Sequence, residues 1–206
     1  EAEEAAKYGC EPGYVKIHTV EQFTDDGNGN MVGDGGVHTY SNTRDLQILG
    51  SNVPDGILGF NNAFTYKGFD LGVFAIARWG QMIDSQMLGW YDTSNRNQPR
   101  KIDYWLPETN EGARFPRPGI AAKTGIESLR FVDGSYIKLK TITLGYTFPK
   151  LWLNKIGVQR LRLYGTAYNA ITIPLNKALK GTDPENAGSD TFPLYKSYVV
   201  GLNFTF

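Results

Sequence analysis

Several oxygen-bearing side chains near the start of the chain have a spacing that suits a calcium ion. Asp25, Asp26, Asn28, Asn30 and Asp34 fall at roughly alternate positions in the run TDDGNGNMVGDGG. Calcium prefers carboxylate and amide oxygens, but the full EF-hand pattern needs a closing bidentate glutamate, which does not follow here. Asp, Asn and Gly also favour turns whose side chains accept hydrogen bonds from nearby backbone. We therefore expect a solvated, turn-rich loop, with cation binding as the alternative.

Residues that could serve in catalysis are few. Neither of the histidines, His18 and His38, has a serine or cysteine nucleophile motif beside it. Three acidic residues that could act as paired carboxylates lie close together in the sequence: Asp103, Glu108 and Glu111. They lie in a proline-rich stretch without the surroundings that shift a pKa into a catalytic range. The single cysteine excludes an internal disulfide and a cysteine-cluster metal site. We therefore expect neither enzymatic activity nor a metal or other cofactor.

The overall composition of the chain narrows the possible classes of protein further. The 21 basic and 21 acidic residues cancel, which gives no reason to expect nucleic-acid binding. A content of 13% aromatic residues together with 24 glycines favours strands and turns over helices. The sequence shows neither a signal peptide nor a run of 18 apolar residues, although membrane-spanning strands alternate and never show such a run. Because an exported protein should carry a signal, we expect a fragment from the C-terminal end of a longer protein.

Residues 69–79 carry the clearest strand pattern. Alternate side chains from Phe69 to Trp79 are all apolar, whereas the opposite face carries Asp70 and Arg78. About ten steps of ~3.3 Å, at a tilt of about 45°, cover about 23 Å, close to the apolar band of about 25 Å in an outer-membrane barrel. The face begins and ends on an aromatic ring, as interfacial girdles do. The segment therefore predicts a membrane-spanning strand.

Alternation also predicts strands at residues 57–66, 135–148, 160–172 and 197–206. In the second of these, Lys138 and Lys140 continue the face of Ile142, so we expect both lysines near lipid headgroups. The last segment, SYVVGLNFTF, ends on phenylalanine, as in the C-terminal signal of outer-membrane barrels. Taken alone, that segment fits an edge strand of a soluble β protein equally well.

The connections between these strands differ in length. They are a tight turn at 67–68, an irregular stretch at 80–134, a linker at 149–159 and a turn-rich loop at 174–193. Bacterial barrels have short turns on the periplasmic side, long loops outside and an even number of strands. The odd number of predicted strands therefore indicates part of a larger barrel with a periplasmic C-terminus. Residues 1–56 are expected to be an extracellular loop region, with strand character at Tyr14–Val20.

Several segments together resemble one family. The most specific is DGSYIKLKTITLGYTFP at 133–149. It stands in order with ILGSNVPDGILGF, YKGFDLGVF, DYWLPETNEGARFPRP, LRLYGTAYNAIT, TDPE and the terminal SYVVGLNFTF. This set resembles the C-terminal region of the SusC/RagA family of TonB-dependent outer-membrane transporters. The resemblance covers most of residues 48–206 and is weaker over 1–47.

The resemblance implies a fold, a function and a set of partners. The fold is an all-β, 22-stranded antiparallel transmembrane barrel with long extracellular loops, and residues 57–206 supply its last five strands. The function is import of oligosaccharides or peptides across the outer membrane of a Gram-negative cell. Implied partners are a SusD-like surface lipoprotein, TonB acting through a plug region absent from this sequence, outer-membrane lipid and the barrel-assembly machinery. A dimer of transporter–lipoprotein pairs is also implied.

Site residues follow from these expectations. The loop aromatics expected to contact substrate or the lipoprotein lid, or else to pack within the loops, are Trp90, Tyr91, Tyr104 and Trp105. The residues expected to face the lumen, or the plug, are Arg78, Arg162, Tyr164 and Tyr168. Those expected to face lipid are Phe69, Leu71, Val73, Trp79, Ile142, Leu144, Tyr146, Val200 and Leu202. The expected assembly signal consists of Gly201, Phe204 and Phe206.

Two other functions fit the sequence. One is a barrel that serves as an assembly or secretion scaffold rather than an importer. The other is a secreted β-sandwich carbohydrate-binding module, which also carries aromatic residues on loops and lacks a catalytic set. The identity of the substrate does not follow from the residues.

Overall fold

A computed structural model describes residues 2–17, 19–39, 41, 43–86, 88, 103–113, 115–117, 126–154, 157–186 and 194–206. The chain divides into two units, one formed by residues 1–50 and 85–131 and the other by residues 51–84 and 132–206. Within the described ranges, no helix is long and apolar enough to cross a membrane.

The second unit is built on one five-stranded antiparallel sheet. Its strands are β3 (Gly56–Tyr66), β4 (Phe69–Trp79), β7 (Tyr136–Thr147), β8 (Arg160–Pro174) and β9 (Ser197–Thr205). Their order in the sheet is β3-β4-β7-β8-β9. All the strands that alternation predicts are therefore present, and they belong to one sheet. A sandwich needs two sheets packed face to face, so the sandwich alternative is wrong.

The register of the sheet sorts side chains onto two faces. Directly opposed residues in antiparallel strands share a face, and Leu71, Leu144, Gly165 and Val200 form one such row across four strands. We call the face that contains this row the apolar face. Its larger side chains are Leu58, Phe60, Phe64, Tyr66, Phe69, Leu71, Val73, Trp79, Ile137, Leu139, Ile142, Leu144, Tyr146, Leu161, Leu163, Ile171, Ile173, Tyr198, Val200, Leu202 and Phe204. The opposite side is the polar face.

One sequence prediction about β7 is wrong. Lys138 and Lys140 do not lie on the side of Ile142, because the register shifts between Leu139 and Thr141. The extra residue of this β-bulge, Lys140, moves the upstream residues to the other face, so Ile137 and Leu139 complete the apolar face instead. Lys138 is fully buried on the polar face, and the ammonium group of Lys140 contacts Glu185, the same carboxylate that contacts Lys138. Both lysines are therefore engaged in ion pairs on the polar side of the sheet, not on the side of Ile142.

The connections of the sheet follow local backbone preferences. Lys67 and Gly68 form the β3–β4 turn with φ values of 46° and 88°, as hairpin turns of two residues require. A short helix, α2 (Lys150–Leu153), connects β7 to β8. Beyond β8 lie two single-turn 3-10 helices, Lys177–Leu179 and Pro184–Asn186. The long 80–134 connection contains the short paired strands β5 (Met82–Asp84) and β6 (Phe131–Asp133) and the 3-10 helix Ile126–Arg130.

The described residues of the first unit form little regular structure. It contains helix α1 (Ala2–Lys7) and a hairpin of β1 (Phe23–Asp25) with β2 (Met31–Gly33). The expected loop at 24–36 is thus partly a hairpin. Described residues between Tyr14 and Val20 form no strand, so the expectation of strand character there is wrong for that part of the segment.

Candidate functional site

An ion pair spans three strands of the polar face. Arg162 on β8 donates from Nε to Asp70 Oδ1 on β4 over 2.9 Å, and a second nitrogen of its guanidinium contacts the other carboxylate oxygen. Asp70 is directly opposed to Gly145 on β7, and the Arg162 side chain reaches past Gly145 from the other side of β7, where Arg162 is opposed to Thr147. A Cβ added at Gly145 would lie 2.5 Å from Arg162 Nη2 and 2.5 Å from Asp70 Oδ1. The bidentate pair therefore depends on glycine at this position.

Tyr164 also lies over a glycine. Its ring occupies the space next to Gly201 on β9, where an added Cβ would lie 2.5 Å from the hydroxyl oxygen of Tyr164. The guanidinium of Arg162 lies 4.9 Å from the centre of the same ring. Nearby, Thr143 and Thr166 join their hydroxyls across β7 and β8 at 2.9 Å. These contacts form a continuous polar surface at the β3–β4 turn end of the sheet.

This turn end holds an open cavity of about 870 Å³. Its charged lining residues are Lys67, Asp70, Arg160 and Arg162. Three of these are basic and one is acidic, so the lining has a positive balance. A surface of this kind attracts anionic groups.

At the other end of the sheet lies a buried ion cluster. Lys138 Nζ is 2.6 Å from Asp183 Oδ2 and 2.6 Å from Glu185 Oε2, while Lys140 Nζ is 2.6 Å from Glu185 Oε1. The side chain of Lys138 is 0% exposed and that of Glu185 is 17% exposed. Burial opposes ionisation of Glu185 and is the largest influence on its pKa. Hydrogen bonds and charge from Lys138 and Lys140 outweigh burial, so the pKa lies below its ordinary value.

Two hydrogen-bond donors next to this cluster have no acceptor within the described part of the chain. Arg78 and Tyr136 are directly opposed in β4 and β7, and Lys138 follows on the same face two residues after Tyr136. Among the described residues, Arg78 Nε and the Tyr136 hydroxyl are buried without a hydrogen-bond partner. Buried polar groups are normally paired, so these two stand out on the polar face.

In the first unit, a cavity of about 420 Å³ lies between residues 4–16 and the segment around Trp105. Its aromatic lining comprises Tyr8, Tyr14, Trp105 and Phe115. Gly13, with φ of 84°, leaves room for the Trp105 ring, which an added Cβ would approach to 2.5 Å.

Ion pairs border this cavity. Lys16 Nζ lies 2.6 Å from Glu4 Oε1, and Arg117 Nη2 lies 3.1 Å from Glu11 Oε2. Glu111 also lines the cavity, without an ion pair among the described residues. A pocket with flat aromatic walls and a carboxylate rim suits ligands that combine apolar faces with hydrogen-bond donors.

His38 lies between two carboxylates in the same unit. Its Nδ1 is 2.6 Å from Asp34 Oδ2 and its Nε2 is 3.1 Å from Asp45 Oδ1. Backbone N–H groups of Gln22 and Gly36, with the imidazole, lower the pKa of Asp34. Burial favours the neutral form of Asp45, but backbone N–H groups of Ser41 and Val20 outweigh it and lower that pKa. Catalytic use is not indicated, since these contacts hold the loop together.

The loop for which cation binding was the alternative to a turn-rich structure contains aspartate-capped turns. Asp25 Oδ1 accepts from the backbone N–H of Gly27 at 2.9 Å, and Asp26 Oδ1 accepts from that of Asn28 at 2.7 Å. Asp26 also binds the Asn30 backbone and side-chain amides. Across the described residues, no group of three or more His, Cys, Asp or Glu side chains could hold a metal ion.

Most of the larger side chains of the apolar face are exposed, and Leu71, Val73 and Ile142 are partly exposed. Leu144 is 54% exposed, Leu202 63% and Val200 78%. Contiguous exposed apolar surface of this size indicates contact with a membrane or another apolar partner. The predicted lipid-facing residues Phe69, Leu71, Val73, Trp79, Ile142, Leu144, Tyr146, Val200 and Leu202 all lie on this face.

The remaining predicted residues divide into three groups. The four predicted to face the lumen, Arg78, Arg162, Tyr164 and Tyr168, lie together on the polar face. Within the expected assembly signal, Gly201 lies on the polar face under Tyr164. Phe204 lies on the apolar face, and the centre of its ring is 5.2 Å from that of Phe206.

The loop aromatics are only partly described. Trp105 lines the cavity of the first unit, and Tyr104 pairs with Phe115 in an isolated bridge. Trp90 and Tyr91 lie outside the described residues. Sequence reasoning missed the Lys138–Asp183–Glu185 cluster, although two of the family segments, DGSYIKLK and TDPE, supply all of its members.

Comparison with known proteins gives consistent matches to one group. No protein-family model matches the chain. TonB-dependent receptor P3 of Formosa agariphila is 32% identical over 203 residues, which cover 90% of this chain and 19% of the receptor. The TonB-dependent receptor SusC of Bacteroides thetaiotaomicron is 26% identical over 91% of this chain and 18% of its own length. The chain thus spans about a fifth of the length of these relatives.

Solved structures show the same fold. The RagAB peptide transporter matches with a TM-score of 0.64 at 22% identity, over 93% of this chain and 22% of that chain. The RagAB peptide importer in its open-open state matches with a TM-score of 0.65 at 21% identity, over 93% of this chain and 21% of that one.

The five-stranded sheet, with its apolar and its polar face, is therefore a segment of an antiparallel β-barrel. The comparisons confirm the resemblance to SusC/RagA-type TonB-dependent receptors that the segments from ILGSNVPDGILGF to SYVVGLNFTF predict.

Proposed function

We propose that this chain forms part of an outer-membrane transporter that imports oligosaccharides or peptides together with a SusD-like surface lipoprotein. The observation that carries the proposal is the opposition of two faces on one sheet. The apolar face is broadly exposed, while the polar face carries charged groups that are paired across strands. In a barrel, the first face meets lipid and the second lines the lumen.

The orientation of the segment follows from its connections. The Lys67–Gly68 turn and the short α2 connection lie at one end of the sheet, and the long connections lie at the other. Short turns belong to the periplasmic side of bacterial barrels, so the 80–134 connection and residues 175–193 belong outside the cell. Coupling to TonB is proposed on the basis of the related receptors' names and requires parts of the receptor beyond this segment.

The cavity beside Trp105 is the proposed contact point for ligand or lipoprotein in the outer loops. Its aromatic walls offer flat apolar surface, and Glu111 offers a hydrogen-bond acceptor at the rim. Such sites suit a sugar ring or a peptide side chain.

Deletion of the gene tests the import proposal. Uptake of labelled oligosaccharide and peptide mixtures by intact cells should fall in the deletion strain and return with the wild-type gene. Unchanged uptake of both mixtures, with an altered set of outer-membrane proteins, would instead favour the assembly or secretion scaffold.

Substitution of Trp105 tests the contact site. Trp105→Ala in the full-length receptor should weaken ligand binding or copurification of the lipoprotein. The matched control is Trp152→Ala, because Trp152 is an exposed tryptophan on α2 of the second unit and does not line this cavity. Equal effects of both substitutions, or none from Trp105→Ala, would contradict a role for this cavity.

A further inference from the structure

Residues 175–186, which we call the strap, pack on the polar face after β8 ends. The backbone N–H of Leu175 donates to Ser135 O over 2.9 Å, which ties the start of the strap to the residue before β7. Leu179 is only 1% exposed, and Pro184 is fully buried. The strap is therefore a packed element on the side of the sheet that carries Lys138.

The strap is fastened through charge. Asp183 and Glu185 both contact the buried ammonium group of Lys138, and Glu185 also contacts Lys140. Asp183 additionally accepts from the backbone N–H of Glu185 at 3.1 Å, which orients the turn that presents both carboxylates. Removing one partner from a buried ion pair leaves an uncompensated charge, which is strongly unfavourable. The closed position of the strap therefore depends on both carboxylates being ionised.

The closed arrangement leaves nearby hydrogen-bonding capacity unused. Arg78 Nε and the Tyr136 hydroxyl, beside Lys138 on the polar face, are buried without acceptors in the described structure. An unsatisfied buried donor destabilises the packed state that buries it. The ion pairs of the strap therefore lie beside two unsatisfied donors on the same face of the sheet.

We propose that the strap is a latched gate on the lumen side of the barrel wall, closed while Lys138 is paired with Asp183 and Glu185 and open when both carboxylates are neutral. The charged or titratable groups that face the latch are Lys138, Lys140, Arg78 and Tyr136 from the strands and the two carboxylates from the strap itself. The role of the gate in transport rests on the proposed transport function, because opening of the strap would change the lining of the barrel lumen. The opening itself is measurable without transport.

Thiol labelling at Leu179 tests the latch. In the full-length receptor, purified in detergent and freed of other cysteines including Cys10, Leu179→Cys places a thiol where the strap buries it. Labelling of that thiol by a maleimide should be slow with the latch intact. Adding Asp183→Asn and Glu185→Gln should raise the rate by roughly tenfold or more, because labelling follows the population of the open form.

A second buried position supplies the matched control. Leu153 on α2 is 3% exposed and belongs to the same unit. Labelling of Leu153→Cys should not change when the two carboxylates are neutralised. Faster labelling at both positions would show general unfolding and overturn the proposal, as would an unchanged rate at Leu179→Cys.

An apolar replacement of the latch separates charge from packing. The fourfold substitution Lys138→Met, Lys140→Met, Asp183→Leu and Glu185→Leu removes all four ions of the cluster together, and buried ion clusters often tolerate such replacement. Its labelling rate should return close to that of the intact latch. A rate as high as that of the variant with both carboxylates neutralised would overturn the ionic mechanism. Absence of ligand uptake by the wild-type receptor would instead contradict the proposed transport function and leave the latch result unchanged.

Discussion

Asp70 and Arg162 meet across β7, and Gly145 is the residue over which they meet. The guanidinium must cross an intervening strand to reach the carboxylate, and only the absence of a side chain at Gly145 leaves that path open. This contact joins β4, β7 and β8 on the polar face, in addition to the backbone ladders.

Gly145→Ala should destabilise the full-length receptor by about 1–3 kcal/mol, the usual cost of overpacking. The new methyl group would displace both Asp70 and Arg162. Gly72→Ala is the matched control, because Gly72 lies on the same face with nothing within 4 Å of an added Cβ. The measurement is the temperature at which the receptor loses its folded mobility on gels. Equal decreases in that temperature for both variants would show that the effect of Gly145→Ala does not come from displacing the Asp70–Arg162 ion pair.

Gly201→Ala should also destabilise the barrel, because a Cβ there would overlap the Tyr164 ring. If packing is the cause, adding Tyr164→Ala should recover much of the loss, since residues in contact are energetically coupled. If the assembly machinery reads Gly201 directly, the second substitution should bring no recovery. Quantifying folded receptor in outer-membrane fractions of the single and double variants distinguishes the two roles.

Val73→Lys should reduce folded receptor in the membrane, whereas Phe74→Lys should be tolerated better. The two residues are neighbours on β4, but Val73 is opposed to Ile142 on the apolar face and Phe74 to Thr141 on the polar face. A lysine near the middle of a lipid-facing strand costs about 2–4 kcal/mol, and a lumen position does not carry that cost. Folding into lipid vesicles during urea dilution measures the difference. A larger loss for Phe74→Lys would reverse the assignment of faces.

The strap should open in acid. The pKa of Glu185 is lowered in the folded chain, so its ionised form contributes stability above the ordinary glutamate pKa of about 4.3, and that contribution is lost as pH falls through the folded value. The thiol of Leu179→Cys should therefore react faster below about pH 4. A dithiodipyridine reagent, which works in mild acid, measures the rate against Leu153→Cys. Faster reaction on raising the pH would contradict the sign.

Alternation predicted both faces where the strands are regular. A period of two was enough to assign side chains to faces from Phe69 to Trp79 and from Val200 to Phe204. The same rule failed at Lys138, because a one-residue bulge at Lys140 inverts every side chain upstream of it and leaves no mark in composition.

Contacts between distant segments could not be derived from the pattern. Gly145 and Gly201 acquire their roles only from the register that places Arg162 and Tyr164 beside them. The β1–β2 hairpin was missed for another reason. Its residues are dominated by Asp, Asn and Gly, which signal turns but do not reveal the short strands on either side.

The order of the sheet has a consequence for handling this segment by itself. β3 and β9 are its outermost strands, so each offers a row of backbone groups that no strand within the described structure satisfies. Open edges of this kind recruit other strands. Produced apart from the remainder of a barrel, the segment should self-associate edge to edge into insoluble β-rich aggregates, and detergent would cover its exposed Leu, Val and Phe side chains without closing those edges.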